Sequence, residues 1–110
     1  MKFMCFAYLD RDMVPGPDAA AQYPPFGRAM HEAGAYIDMG QFAGRGESKT
    51  VQVTDGTPSV VDGPPRSDSP DTSSPIAYFL IDCGDLDEAL RWAAQIPAAA
   101  YGSIEVRPVH

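Results

Sequence analysis

Ile76-Ala77-Tyr78-Phe79-Leu80-Ile81-Asp82-Cys83 decides how this chain folds, because apolar side chains occupy both alternating sets of the run. A strand with one wet face alternates apolar and polar residues, so this run predicts a central strand buried on two faces. Residues 2–9 repeat the pattern, with Phe3, Cys5, Ala7 and Leu9 on one set and Met4, Phe6 and Tyr8 on the other. Two doubly buried strands need neighbours, and the rest of the chain is read for what supplies them.

Downstream, Asp85 is placed as an N-cap with Glu88 three residues on. Leu86, Ala89, Leu90 and Ala93 form a helical stripe over 86–96 that Pro97 stops. The closing segment alternates, Ile104 and Val106 against Glu105 and Arg107, and Pro108 near its end suits an edge strand over 103–109. Upstream, Phe26, Ala29, Met30 and Ala33 stand at i, i+3, i+4 and i+7, which predicts a helix between Pro24 and Gly34. A short strand follows at 35–39, residues 50–54 and 59–62 flank the turn former Asp55-Gly56 as a hairpin, and the Pro-, Ser- and Asp-rich stretch 64–75 is a loop.

The order is strand, helix, strand, inserted hairpin, strand, helix, strand. That is the split βαβ plan of a ferredoxin-like α+β sandwich, in which the first and third core strands are central. The two doubly apolar runs fall on those strands, so local pattern and topology agree. At 110 residues, 45% of them hydrophobic, residues 1–110 suit one domain. Two helices cover one sheet face. The other, carrying part of Phe3, Phe6, Tyr8, Tyr78 and Leu80, calls for a partner chain.

A formal net charge of −7 provides no footprint for phosphate backbones or anionic lipid, so nucleic acid and membrane surfaces are not expected partners. The opening apolar run meets Asp10-Arg11-Asp12 too soon for a signal segment, and no run is long enough to span a bilayer. Two cysteines inside apolar segments fit a cytoplasmic chain with reduced, buried thiols.

Asp62-Gly63-Pro64-Pro65, the strand run Tyr78 to Asp82, the helix Leu86 to Ile96 and Gly102-Ser103-Ile104-Glu105-Val106-Arg107-Pro108-Val109 together resemble the YCII-related family. The resemblance is to its DGPF-type branch, whose members end in a DGPF loop, a strand, a short helix and a GSVEVRPV-like strand. It implies a dimeric α+β barrel in which two sheets meet face to face, with a pocket in each protomer. Some relatives carry a His-Asp pair. Laid on this chain, the histidine position holds Tyr23 and the acid positions hold Ala94 and Ile96, so that acid–base mechanism does not carry over. Pro65 also stands where the loop has phenylalanine. Family members are often encoded beside alternative sigma factors, which implies a regulatory role as a further possibility.

Among candidate site residues, His31 is the only internal histidine and a candidate for proton transfer. It projects off the apolar stripe beside Arg28 and Glu32, which equally suits a solvated helix face. Glu105 and Arg107 stand two apart on one strand face, where the arginine can orient a carboxylate and the glutamate can relay a proton, or the two can form a structural pair. Asp62 is a turn carboxylate or a pocket rim, and Tyr8 and Tyr78 can bring hydroxyls to the same cavity or pack in the core. Arg66, Asp68 and Asp71 would gate a ligand or lie in a flexible loop. Asp82, Asp85, Asp87 and Glu88 already include a helix cap, and two cysteines without nearby histidines make no zinc site, so neither a metal nor another cofactor is expected. The leading expectation is a small homodimer that binds a small anionic or aromatic molecule or acts as an accessory protein. The alternative is a barrel enzyme performing isomerase, lyase or dehalogenating chemistry on a small cyclic or aromatic metabolite.

Overall fold

The computed structural model describes residues 1–9, 18–65 and 74–110. In chain order these form β1 (Lys2–Leu9), α1 (Tyr23–Glu32), β2 (Tyr36–Gln41), β3 (Lys49–Thr54), β4 (Thr57–Asp62), β5 (Ala77–Asp82), α2 (Leu86–Gln95) and β6 (Gly102–Val109). The expected order of elements is the observed one. Arg66, Asp68 and Asp71, like the stretch Asp10-Arg11-Asp12, lie outside the described residues.

β1, β2, β5 and β6 make an antiparallel sheet in the order β2-β5-β1-β6, with β1 and β5 inside and β6 at an edge. This α+β arrangement, one antiparallel sheet with two helices, fits the ferredoxin-like fold. The doubly apolar strands are the central ones because only there does a strand lose water on both faces.

Each helix end is set by local chemistry. The Asp85 carboxylate accepts the Glu88 N–H at 2.8 Å, and the Glu88 carboxylate accepts the Gly84 N–H at 2.6 Å, so the start of α2 has its donors satisfied. Ile96, before Pro97, is extended and ends the helix. α1 closes on Gly34, at φ +72°, with Ala35 N–H donating to Met30 C=O and Gly34 N–H to His31 C=O.

Phe3, Cys5 and Ala7 of β1 and Phe79 and Ile81 of β5 point to one side of the sheet, against Phe26 and Met30 of α1 and Ala89, Ala93 and Ile96 around α2. Burying each of the large side chains contributes about 1.5–3 kcal/mol. Phe26 meets Phe79 edge-on at 6.0 Å and Trp92 at 6.4 Å, so Trp92 is a packing residue. Two sequence expectations are corrected here. Phe3 belongs to the helix-covered face, because it shares the parity of Cys5 and Ala7. The buried stripe of α2 is Ala89, Trp92, Ala93 and Ile96, while Leu86 and Leu90 are 47% and 48% exposed. Small alanines let the helix lie close to the sheet, and the bulk of Trp92 then sets its rotation.

β1 and β6 pair along their whole length, Leu9 opposite Gly102. A Cβ on Gly102 would stand 1.8 Å from the Tyr8 carbonyl oxygen and 2.8 Å from the Leu9 Cα, and both obstacles are backbone. We therefore expect Gly102→Ala to lower the unfolding free energy by about 3 kcal/mol in urea titrations. Gly44→Ala, where nothing stands within 4 Å, is expected to change it by less than about 1 kcal/mol; equal effects would contradict the close β1–β6 approach.

Candidate functional site

Strand parity places a second set of side chains on the helix-free side of the sheet. Met4, Phe6 and Tyr8 come from β1. Tyr78 and Leu80 come from β5, and Glu105 and Arg107 from β6, with Phe6 opposite both Tyr78 and Glu105 and Met4 opposite Leu80 and Arg107. The apolar members are half-buried by their neighbours alone. Among the described residues no helix reaches this side.

On it, Glu105 is the centre of a short polar chain. The Tyr8 hydroxyl donates to Glu105 Oε1 at 3.1 Å, and Arg107 Nε donates to Glu105 Oε2 at 3.2 Å. Both carboxylate oxygens are engaged, which makes Glu105 an anchor for its neighbours. Tyr8 holds its proton above the ordinary phenol range because of burial first, and then because it donates to the Glu105 carboxylate, whose charge opposes ionisation; Arg107 acts the other way. Among the described residues the terminal nitrogens of the Arg107 guanidinium have no protein partner, so they face outward as a fork suited to a carboxylate or phosphate.

The other candidates separate from this chain. Tyr78 lies on the same face, but its hydroxyl donates to Asp38 Oδ2 of β2 at 2.9 Å, a bond that raises its pKa more than burial does. Asp62 sits at the root of the β3–β4 hairpin, where its carboxylate pairs with the Lys49 ammonium directly across the ladder. It shares no hydrogen bond with Tyr8, Glu105 or Arg107 among the described residues. Gly63, at φ +95°, takes the left-handed turn expected of a glycine after that aspartate. His31 is exposed at the end of α1, its ring 4.1 Å from that of Tyr36.

The feature that sequence reasoning missed is a cleft of about 360 Å³ between the start of α1 and the β2–β5 edge. Ala20, Tyr23, Met39, Gly40, Gln41, Ile76, Ala77 and Phe79 line it. Its walls are mostly apolar, with no charged side chain among the described residues that line it. The Tyr23 ring lies parallel to Phe79, 6.4 Å between centroids, and burial is the main reason the Tyr23 hydroxyl keeps its proton above the usual range. Small residues at 20 and 77 leave the space open. No local spacing could have revealed this, since the lining comes from three separate stretches; only the resemblance pointed at Tyr23. Among the described residues no three His, Cys, Asp or Glu side chains converge as a metal-binding group. Among the described residues no helix is long and apolar enough to cross a membrane.

The fold and these sites define a small α+β protein with an antiparallel sheet, one face helix-covered and the other bearing Tyr8, Glu105 and Arg107. The YCII-related domain matches residues 1–110, and the chain belongs to that family. No curated protein matches it.

Cys5 and Cys83 are both buried free thiols. Burial, with the second thiol nearby, pushes Cys5 up from 9.0 to about 11. An unfolded chain releases the Cys5 proton from pH 9, whereas the folded one retains it to about 11, so stability falls as pH rises through that window. The slope approaches about 1.4 kcal/mol per unit from this group. Urea titrations at pH 8.5 and 10.5 are expected to show a smaller loss in Cys5→Ala than in the parent, and an identical loss would contradict the assignment.

Proposed function

We propose that this chain is a cytoplasmic homodimer of the DGPF-type branch that binds a small aromatic or anionic molecule, without the acid–base chemistry of a His-Asp pair. Its single domain spans residues 1–110, and two copies join by their helix-free sheet faces into a dimeric α+β barrel. The cleft beside Tyr23 carries this reading. A volume of about 360 Å³ lies within the range of small-ligand pockets, and apolar walls with one or two polar groups are the lining such pockets have. A flat ring would meet Tyr23 and Phe79, and the Tyr23 hydroxyl would fix its orientation.

Binding is favoured over turnover by what the side chains can do with protons. Tyr23 stands where the resemblance puts the catalytic histidine, and its phenol retains its proton more tightly than usual. At the two acid positions, Ala94 is exposed on α2 and Ile96 is in the core. Glu105 has both oxygens committed to Tyr8 and Arg107. Arg107, held by its Nε, is the contact for an anionic group, and Tyr8 and Glu105 position it. The dimer is supported by Met4, Phe6 and Leu80, an apolar band on a sheet side that the chain's own helices leave bare.

Light scattering at micromolar concentration is expected to return the mass of a dimer; a stable, well-folded monomer would rule out the face-to-face barrel. Ligand-observed NMR with phenol, benzoate and acetate is expected to show phenol and benzoate bound. Tyr23→Ala should weaken phenol by about tenfold, the size of one lost hydrogen bond with its packing. Arg107→Ala should weaken benzoate more than Asp62→Ala does, and equal losses would contradict the role given to Arg107.

A further inference from the structure

β3 and β4 form a two-stranded sheet of their own, joined through Asp55 and Gly56, both at positive φ. Its register puts Val51 opposite Val60, Val53 opposite Pro58 and Lys49 opposite Asp62, so these six side chains share one face. The other face carries Thr50, Gln52, Thr54, Thr57, Ser59 and Val61. The hairpin is therefore amphipathic, yet Val51, Val53 and Val60 are 62%, 65% and 62% exposed. None of its residues joins the hydrophobic core. The described residues have a radius of gyration of 16.0 Å, against about 13 Å for a compact domain of this length.

We propose that this hairpin is an intermolecular arm whose Val51-Val53-Pro58-Val60 face seats on a second copy of the chain. The inference rests on the dimer proposed above and adds a second contact to it. Two observations select another copy as the occupant. A two-stranded hairpin is at best marginally stable in water, so the ordered six-pair ladder requires a surface that is always present, and only the chain's own partner meets that condition. The second observation is area. A four-stranded face with strands about 4.8 Å apart and about 20–26 Å long offers about 450 Å². Two such faces remove about 900 Å² from water, below the roughly 1,200–2,000 Å² of a stable specific interface.

One arm face of two six-residue strands offers about 190 Å². Two arms, each covering an equal patch of the other copy, bring the total to about 1,600 Å², the standard size. Charge permits this, although each copy carries −7. The only charges on the arm's apolar face are Lys49 and Asp62, and they neutralise each other at its root.

Two measurements test the arm. A benzophenone photo-cross-linker placed at Val53 in a mixture of ¹⁴N and ¹⁵N chains is expected to yield cross-linked peptide pairs of mixed isotope content. Pairs confined to one isotope, or none at all, would overturn the proposal. In sedimentation equilibrium, the double variant Val51→Asp with Val60→Asp is expected to raise the dimer Kd at least about tenfold while the near-ultraviolet circular dichroism of Trp92, packed on Phe26, stays unchanged, since the arm adds nothing to the core. A parent dimer and a variant of equal Kd would overturn the arm and leave the sheet-face dimer standing; a monomeric parent would overturn both.

Discussion

Two ten-residue helices can cover one face of a four-stranded sheet and no more, and that constraint organises this molecule. It sorts the side chains of β1 by parity into Phe3, Cys5 and Ala7, sealed beneath α1 and α2, and Met4, Phe6 and Tyr8, left on the bare side. Both sets are apolar because β1 and β5 are central, so the bare side cannot behave as the solvated face of an ordinary half-buried sheet. The polar groups on it are few and mutually engaged. Tyr8 and the Arg107 Nε both bond Glu105, and Tyr78 is satisfied by Asp38.

That mutual engagement has a direction. Tyr8 is held protonated and therefore donates, which makes Glu105 an acceptor at Oε1 and leaves Oε2 for Arg107. Each proton has one place to be, and a group fixed in this way orients a ligand better than it exchanges protons with one. The same logic holds in the cleft, where the Tyr23 phenol is the polar ring against Met39, Ile76 and Phe79. Apolar walls penalise a charged ligand there, whereas the outward nitrogens of Arg107 favour one. The aromatic and anionic halves of the expected ligand class thus answer to different surfaces of the fold.

Element types were legible wherever one period ruled a segment. β1 and β5 show no alternation and are central; β6 alternates and is an edge; Asp85, Glu88 and Pro97 bracket α2 by capping chemistry alone. The rotation of α2 was not legible, since Leu86-Ala89-Leu90-Ala93 is as good a stripe as Ala89-Trp92-Ala93-Ile96 until the sheet's demand for close approach selects the alanines. Of the site, Glu105 and Arg107 could be paired from their i, i+2 spacing. Tyr8 was legible as a candidate for the same cavity, but its bond to Glu105 needed the β1–β6 register, which no local pattern encodes. The cleft depends on three separated stretches and was visible only through the resemblance that drew attention to Tyr23. Asp62 reads as a turn former, and its pairing with Lys49 follows only once the hairpin's register is known.

The hairpin exposes the difference between a pattern and a place. Alternation over 49–62 specifies two strands and which face is apolar, but not what that face lies against. In a larger sheet the missing neighbour would be another strand of the same chain. Here the four-stranded sheet is complete without it, and β6 and β2 hold the edges. An amphipathic ribbon left off the core adds little to the folding of its own chain, since its valines keep more than half of their surface in water. In the dimer proposed above, association realises its stabilising potential and offsets the repulsion between like-charged copies.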